Sequence, residues 1–311
     1  MSEESAADRP EFDGESVPEA ARKPFRWRTS ISWKTVDRIV CRGYDINELA
    51  ANVSFAEMVF LLFQSRLPTP AQSAMLDYFM VVFVEHALSP STAAARLTAA
   101  GRPPLNAAIA AGILTFGDAH GPGLAYGRMM RKTLAAAKAA GESFAAAADR
   151  LVERRAAEGR RIPGLNQPQH VRGDPRAPGV SAKARELGVA GEYVALQEAI
   201  NTAAARRHGP ALKPNLLGAA GPVLLDLGFS PEASFAIGVL CRGFSCAAHA
   251  IEEAAEESPW RASRRGDETD ILDLSLQGPD RYAGPADRVV PPRAERGAAP
   301  RDGDSPRRDR G

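Results

Sequence analysis

What most limits the folds open to this chain is the punctuation between Ser54 and Glu257. Apolar runs of helical length, several of them rich in alanine, are opened or closed again and again by proline and glycine. Alanine is the strongest helix former, and small side chains let helix axes approach closely, so such a stretch is expected to build a dense helical bundle. Ser54 with Glu57 three residues later is a capping box, and Phe55, Met58, Val59, Leu61 and Leu62 give the following helix a broad apolar face that ends before Pro68. Thr69-Pro70 opens the next helix, Pro90 and Ser91 start an alanine-rich one, and Leu105 to Phe116 forms another. Residues 127 to 159 read as one long helix, 181 to 207 as another, and 219 to 227 resumes after the break at Lys213-Pro214-Asn215. Pro231 to Glu257 carries a last pair of apolar stripes. Alternation at Ile31, Trp33, Val36 and Ile39 predicts short extended pieces ahead of a turn at Gly43, and nothing predicts a multi-stranded sheet. The fold class expected is all-α.

Composition removes several alternatives. A chain of 311 residues with 44% hydrophobic and 25% charged side chains can bury a large core. Its net charge of +1 gives no general attraction to nucleic acid. No uninterrupted apolar run reaches the roughly 20 residues that span a bilayer, and no charged-then-apolar start marks a signal peptide, so no membrane partner and a cytoplasmic location are expected. Cys41, Cys241 and Cys246 form neither a CxxC pair nor an even framework, which argues against a disulfide scaffold or a metal site. Residues 1–24 are too polar to offset chain entropy and read as a disordered leader; 277–311, where Pro, Gly, Arg and Asp alternate, reads as a disordered tail.

Two segments carry candidate chemistry. LTFGDAHGPG, residues 114 to 123, ends a helix and sets His120 among Gly117, Gly121 and Gly123. Taken alone, His120 reads as a hydrogen-bonded helix terminus; the flanking glycines also leave room for a bound group to approach an imidazole that exchanges protons near neutral pH. RIPGLNQPQHVRGDPRAPG, residues 161 to 179, holds four prolines and three glycines among charged and amide residues. A loop of that length inside a helical chain usually handles ligand.

The order of motifs resembles the citrate synthases and the related citryl-CoA lyases. CRGYDINELAANVSFAEMVFLLFQSRLPTPAQ is similar to their opening segment, and VEHALSPSTAAARLTAAGRPPLNAAIAAGILTFGDAHGPG to their D-H-G…P-S-x-A-A-R and L-G-D-x-H-G-G blocks. IPGLNQPQHVRGDPRAP is similar to I-P-G-F-G-H-P-x-H-K-x-x-D-P-R, PNLLGAAGPVLLDLGF to N-x-D-G-A…L-L-D-L-G-F, and CRGFSCAAHAIEE to R-x-x-G-x-x-A-H-x-x-E. The likeness is collinear from about Trp33 to Trp260 and nearest the shorter, citryl-CoA lyase-like branch.

The resemblance implies a two-domain helical homodimer with its active site between a large domain (25–120 and 226–276) and a small one (121–225). It implies CoA-thioester chemistry on a citrate skeleton, with coenzyme A as part of the substrate, a small carboxylate as the other ligand and no further cofactor. His86 falls on the histidine that holds the keto dicarboxylate, and His120 on the one that hydrogen-bonds the thioester oxygen. Arg176 and Arg242 fall on arginines that clamp carboxylates, a task suited to the planar guanidinium fork. Two positions depart from the pattern. Gln167 stands where the family has its second catalytic histidine, and Leu217 where it has the aspartate that exchanges the α-proton. An amide cannot transfer a proton and a hydrocarbon can do nothing there. His170, in the same loop, and Glu85, beside His86, are the neighbours able to take a proton. HGPG in place of HGG is a milder departure. His249 reads as packing near Arg242, His208 as a surface residue, and Arg261 and Arg264 as candidates to cross a dimer. Two roles remain open: a lyase or synthase of this kind, and a non-catalytic relative that keeps the carboxylate pocket as a binding or regulatory subunit.

Overall fold

The computed structural model describes residues 28–166, 170 and 172–259. The leader and tail, Gln167, Arg261 and Arg264 lie outside the described residues.

The chain begins with strands β1 (Ser32–Lys34), β2 (Ile39–Cys41) and β3 (Tyr44–Asp45). They pair as an antiparallel meander with Trp33 opposite Val40 and Cys41 opposite Tyr44. This small sheet was not expected from the sequence. Its last turn is made by Arg42 and Gly43, both at positive φ (+49° and +91°), and Arg42 Nη2 then donates to the Leu62 carbonyl at 2.7 Å, fixing the turn to a helix. Asp45 caps α1 (Ile46–Asn52) through its side chain.

Helices follow throughout. Ser54 and Thr69 close full capping boxes on α2 (Phe55–Gln64) and α3 (Pro70–Val84), and α4 (Pro90–Ala100) and α5 (Leu105–Leu114) come next. The stretch 127–159 is two helices rather than one: α6 (Gly123–Ala140) stops at Gly141, which adopts φ +62°, and Ser143 caps α7 (Phe144–Ala157). A left-handed glycine ends a helix without strain, and here it outweighs the alanines on either side. Likewise 181–207 is divided at Gly188 (φ +66°) between α8 (Ala177–Glu186) and α9 (Glu192–His208). After α10 (Leu216–Asp226), the two stripes at the end belong to a single 26-residue helix, α11 (Pro231–Glu256).

Packing gathers these elements around two large cores. One joins α2, α3, α8, α10 and α11 through Phe60, Leu76, Val180, Leu224 and Ile237. The other joins α6, α7 and α9 through Met130, Leu151, Leu196 and Ile200, with Ile162 and Leu165 of the long loop against it. By length and composition α11 is the one described helix apolar enough to cross a membrane. Its inner face holds buried Arg242 and Glu253 and packs on α3, α4, α5 and α6, as a central core helix does. The crossing with α5 needs Gly112, where an added Cβ would lie 2.6 Å from Cys246 Sγ.

Candidate functional site

Three loops and two helices, α10 and α11, converge where the cores meet. The α3 helix ends at Val84 with Glu85 as its C-terminal cap, and His86 follows on a backbone bent by Ala87 at φ +49° before Ser89 starts α4. From α11, Arg242 reaches this corner. Its Nη2 donates to the Phe83 carbonyl at 3.0 Å, its Nη1 lies 3.5 Å from Ser89 Oγ, and its plane sits 5.5 Å from the Phe83 ring centre. A guanidinium is thus held by one of the last carbonyls of a helix, where cations are favoured. Arg242 is only 4% exposed and its Nε has no partner.

Arg176, just ahead of α8, is held by a neighbour that sequence reasoning had not singled out. Asp174 accepts from Arg176 Nε at 2.9 Å and Nη2 at 2.8 Å, and also from the backbone N–H of Leu216 at the start of α10 (3.1 Å). Burial pushes the Asp174 carboxyl up, but the Arg176 fork and these N–H groups outweigh it and hold the carboxyl below its ordinary value. The outcome is a fixed fork with Nη1 buried and unpartnered. The acid two residues before the arginine, in DPR, was the available signal.

His120 stands in the loop between α5 and α6. Its ring packs at 4.6 Å on Phe116, and its carbonyl accepts from Gly117 N at 2.9 Å. Gly121, at φ +71°, leaves no room for a side chain, since a Cβ would lie 2.7 Å from the Phe116 ring. His120 Nε2 is buried without a partner, and α6 carries no side-chain cap. The capped-terminus reading of this residue is therefore set aside. Burial, and then the charge of Arg242, lower its pKa below the ordinary histidine value.

His86 and His170 face one another with Nε2 atoms 3.0 Å apart and rings at 71°. In such a pair one nitrogen carries hydrogen and the other accepts it. Burial, followed by the positive charges of Arg176 and Arg242 and by His170, lowers the His86 pKa to about 4, with Asp174 opposing. The structure thus brings His86, Arg176 and Arg242 within one electrostatic neighbourhood, and Arg242 links it to His120. Beside it, Ser245 donates to Glu85, whose carboxylate also faces His249 at 3.4 Å; His249 Nδ1 lies 3.4 Å from Arg96 Nη1. Arg96 in turn pairs with the buried Glu253 at 2.9 Å. Glu85 is engaged in this network, and His249 joins α4 to α11 as a packing residue.

Leu217 lies in an apolar wall. It lines a cavity of about 60 Å³ together with Phe79, Phe83, Phe116, Leu224 and Phe235, and no carboxylate is among the lining residues. Its neighbour Gly218 must be glycine, because the Gly164 carbonyl would lie 2.1 Å from a Cβ; this contact seats the IPG segment on α10.

A second, open cavity of about 830 Å³ was not foreseen. Arg155, Arg160, Arg161, Arg207 and His208 surround it, with Ile162 and Leu165 of the long loop at its side. His208 is exposed at its edge, as a surface residue should be. Such a basic concavity suits a polyphosphate. Among the described residues no group of three or more His, Cys, Asp or Glu is placed to hold a metal ion.

Residues 70–263 match the family of the citrate synthase C-terminal domain. The fold is similar to that of citryl-CoA lyase from Hydrogenobacter thermophilus, with 28% identity, 85% of this chain and 97% of that chain covered, and a TM-score of 0.71. It is also similar to citrate synthase from Thermoplasma acidophilum in its ternary complex with carboxymethyl coenzyme A and oxaloacetate (20% identity, 78% and 60% covered, TM-score 0.60). ATP citrate lyase from Methanothrix soehngenii, in complex with citrate and coenzyme A, shares the fold at 15% identity and a TM-score of 0.65, and this chain spans 44% of it. No curated protein matches the chain.

Proposed function

Because the chain belongs to the citrate synthase family, we propose that it binds a keto dicarboxylate and an acyl-CoA and works on the C–C bond between them, in the cleavage direction. The observation that carries this is a set of buried nitrogens without protein partners: Arg176 Nη1 and Arg242 Nε, whose guanidinium charges act on His86, and His120 Nε2, on which the Arg242 charge also acts. Leaving buried donors unpaired costs about 1–3 kcal/mol each, more for charged groups, and a polycarboxylate recovers it. Arg176 and Arg242 hold the carboxylates, His86 the keto oxygen, and His120 the thioester oxygen. The basic cavity beside the IPG segment takes the phosphates of coenzyme A.

Cleaving a β-hydroxy thioester requires a base for the hydroxyl proton. The C–C bond then breaks, its electron pair forms the thioester enolate, and the enolate carbon collects a proton. His170, whose Nε2 meets that of His86, is the base assigned to this step, in the part the sequence had left to Gln167. His120 steadies the enolate oxygen. The carbon takes its proton from water, because the wall at Leu217 offers none. Condensation instead needs a base at the α-carbon, and among the described residues lining that wall there is no carboxylate.

Incubation with citryl-CoA in D₂O tests the proposal. Keto acid should appear together with one solvent deuterium in the acyl product, and His120→Ala should lower kcat by about 10²–10³-fold, the usual cost of an oxyanion donor. Turnover unchanged in His120→Ala overturns it. The apolar wall also favours the second reading, a non-catalytic carboxylate binder. It is supported if no turnover occurs while oxaloacetate at 100 times its Kd stabilises the protein by about 2.7 kcal/mol.

We also propose a homodimer. Leu240, Phe244 and Ile251 lie exposed on α11, and Phe55 packs edge-on to Phe244 at 6.3 Å, an apolar face suited to a second copy. A monomeric mass by light scattering at micromolar concentration would remove it. The three buried, unpaired thiols fit the cytoplasm as the proposed location.

A further inference from the structure

The clamp and the thioester chemistry leave the apolar cavity unexplained. The cavity behind Leu217 measures about 60 Å³, more than the ~10–15 Å³ that admits a single water and less than the ~150 Å³ of an engineered cavity that binds benzene. Its position ties it to the site. Phe116, one of its walls, carries the His120 ring at 4.6 Å, and Gly121, another, is the residue after His120. Phe83, a third wall, lies under the Arg242 guanidinium.

Its lining argues against water as the occupant. A buried water needs two to four polar partners. Among the side chains here, Tyr126 spends its hydroxyl on Gln197 at 2.7 Å, and Ser234 Oγ is the one remaining polar atom, buried and unpartnered. A single hydroxyl cannot hold water well, whereas a hydrocarbon gains free energy from every methylene it buries there.

We infer that this cavity receives an alkyl extension of the acyl group, one to three carbons beyond acetyl, so that the chain selects a short-chain acyl thioester larger than acetyl-CoA. The inference rests on the acyl-CoA reading of the site, because it places the thioester carbonyl at His120. Leu217 is then a specificity-determining residue.

The test is calorimetric titration of the full chain with acetyl-, propionyl- and butyryl-CoA in the presence of oxaloacetate. Burial of one methylene is worth about fourfold in Kd, so butyryl-CoA should bind about fifteenfold more tightly than acetyl-CoA. In Leu217→Phe, whose ring fills the space, the three should bind alike. Equal affinities in the wild-type chain overturn the inference while leaving the acyl-CoA reading intact, and this arm depends on no variant folding. A chain-length dependence that survives in a folded Leu217→Phe also overturns it. If no acyl-CoA binds at all, the acyl-CoA reading falls and the inference with it.

Discussion

The two faces of the site are built by opposite rules. On one, hydrogen bonds hold Arg176 to Asp174, Arg242 to Phe83 and His86 to His170, and a ring contact with Phe116 holds His120, yet Arg176 Nη1, Arg242 Nε and His120 Nε2 stay unpartnered. On the other, Leu217 and a group of aromatic rings enclose space with almost no polar atoms. The first face stores unsatisfied polarity, which a charged ligand relieves. The second stores unfilled volume, which only hydrocarbon relieves. Their meeting at Phe83, Phe116 and Gly121 sets a face rich in unpartnered nitrogens directly against one whose lining side chains include no carboxylate.

The largest effect is expected from breaking the polar face. Asp174→Ala leaves the Arg176 guanidinium without its fork and takes an acceptor from the first N–H of α10. Removing one partner of a mostly buried ion pair should lower unfolding free energy by about 3–5 kcal/mol, measured by urea denaturation. Oxaloacetate should then no longer shift the melt, because Arg176 is free to swing. A loss below about 1 kcal/mol with binding intact would mean that the fork does not order the polar face.

A smaller effect is expected from making the apolar face polar. Leu217→Asp should cost about 1–3 kcal/mol of stability for a polar group placed among the rings, with its carboxyl titrating above the ordinary range. The same variant sharpens the comparison: exchange of acyl-CoA α-protons with D₂O, absent in the wild-type chain, should appear. Exchange already present in the wild-type chain would show that a base outside this wall reaches the α-carbon.

How much of this was legible in the residues differs between the faces. The helices were legible because Ser54, Thr69-Pro70 and Pro90 sit at the start of apolar or alanine-rich periods. The breaks at Gly141 and Gly188 were not, because alanine on both sides hides whether a glycine is inside a helix or ending one. The polar residues His86, His120, Arg176 and Arg242 could be named from motif order. Asp174 was in view within DPR but gave no sign of its bonds to α10, which exist only once the loop has folded back. His170 reads from the sequence only as a loop neighbour able to take a proton, since spacing cannot show that its ring meets His86. The cavity at Leu217 is assembled from α3, the 116–123 loop, α10 and α11, and volume between distant segments leaves no trace in a sequence.

The smallest effect tests how far the cations of the polar face reach. His86 is faced by Arg176 and Arg242, by the His170 ring and by Asp174, with Glu85 next to it in the chain. An unfolded histidine titrates near 6.5, whereas folded His86 does so at about 4. Between these values the unfolded chain binds a proton that the native chain refuses, so this residue's share of stability falls as pH drops from 6.5 to about 4, then levels off. Solvent reaches part of the ring, so His86→Gln should flatten the slope of stability against pH in that window by a fraction of one proton. In the wild-type chain the imidazole resonance should titrate near pH 4. Oxaloacetate, by bringing negative charge between the two guanidinium groups, should raise that midpoint and couple binding to proton uptake. A midpoint near 6.5 without ligand would mean that neither burial nor the charges of Arg176 and Arg242 act on His86, and the polar face would then lose the electrostatic unity that sets it apart from the wall at Leu217.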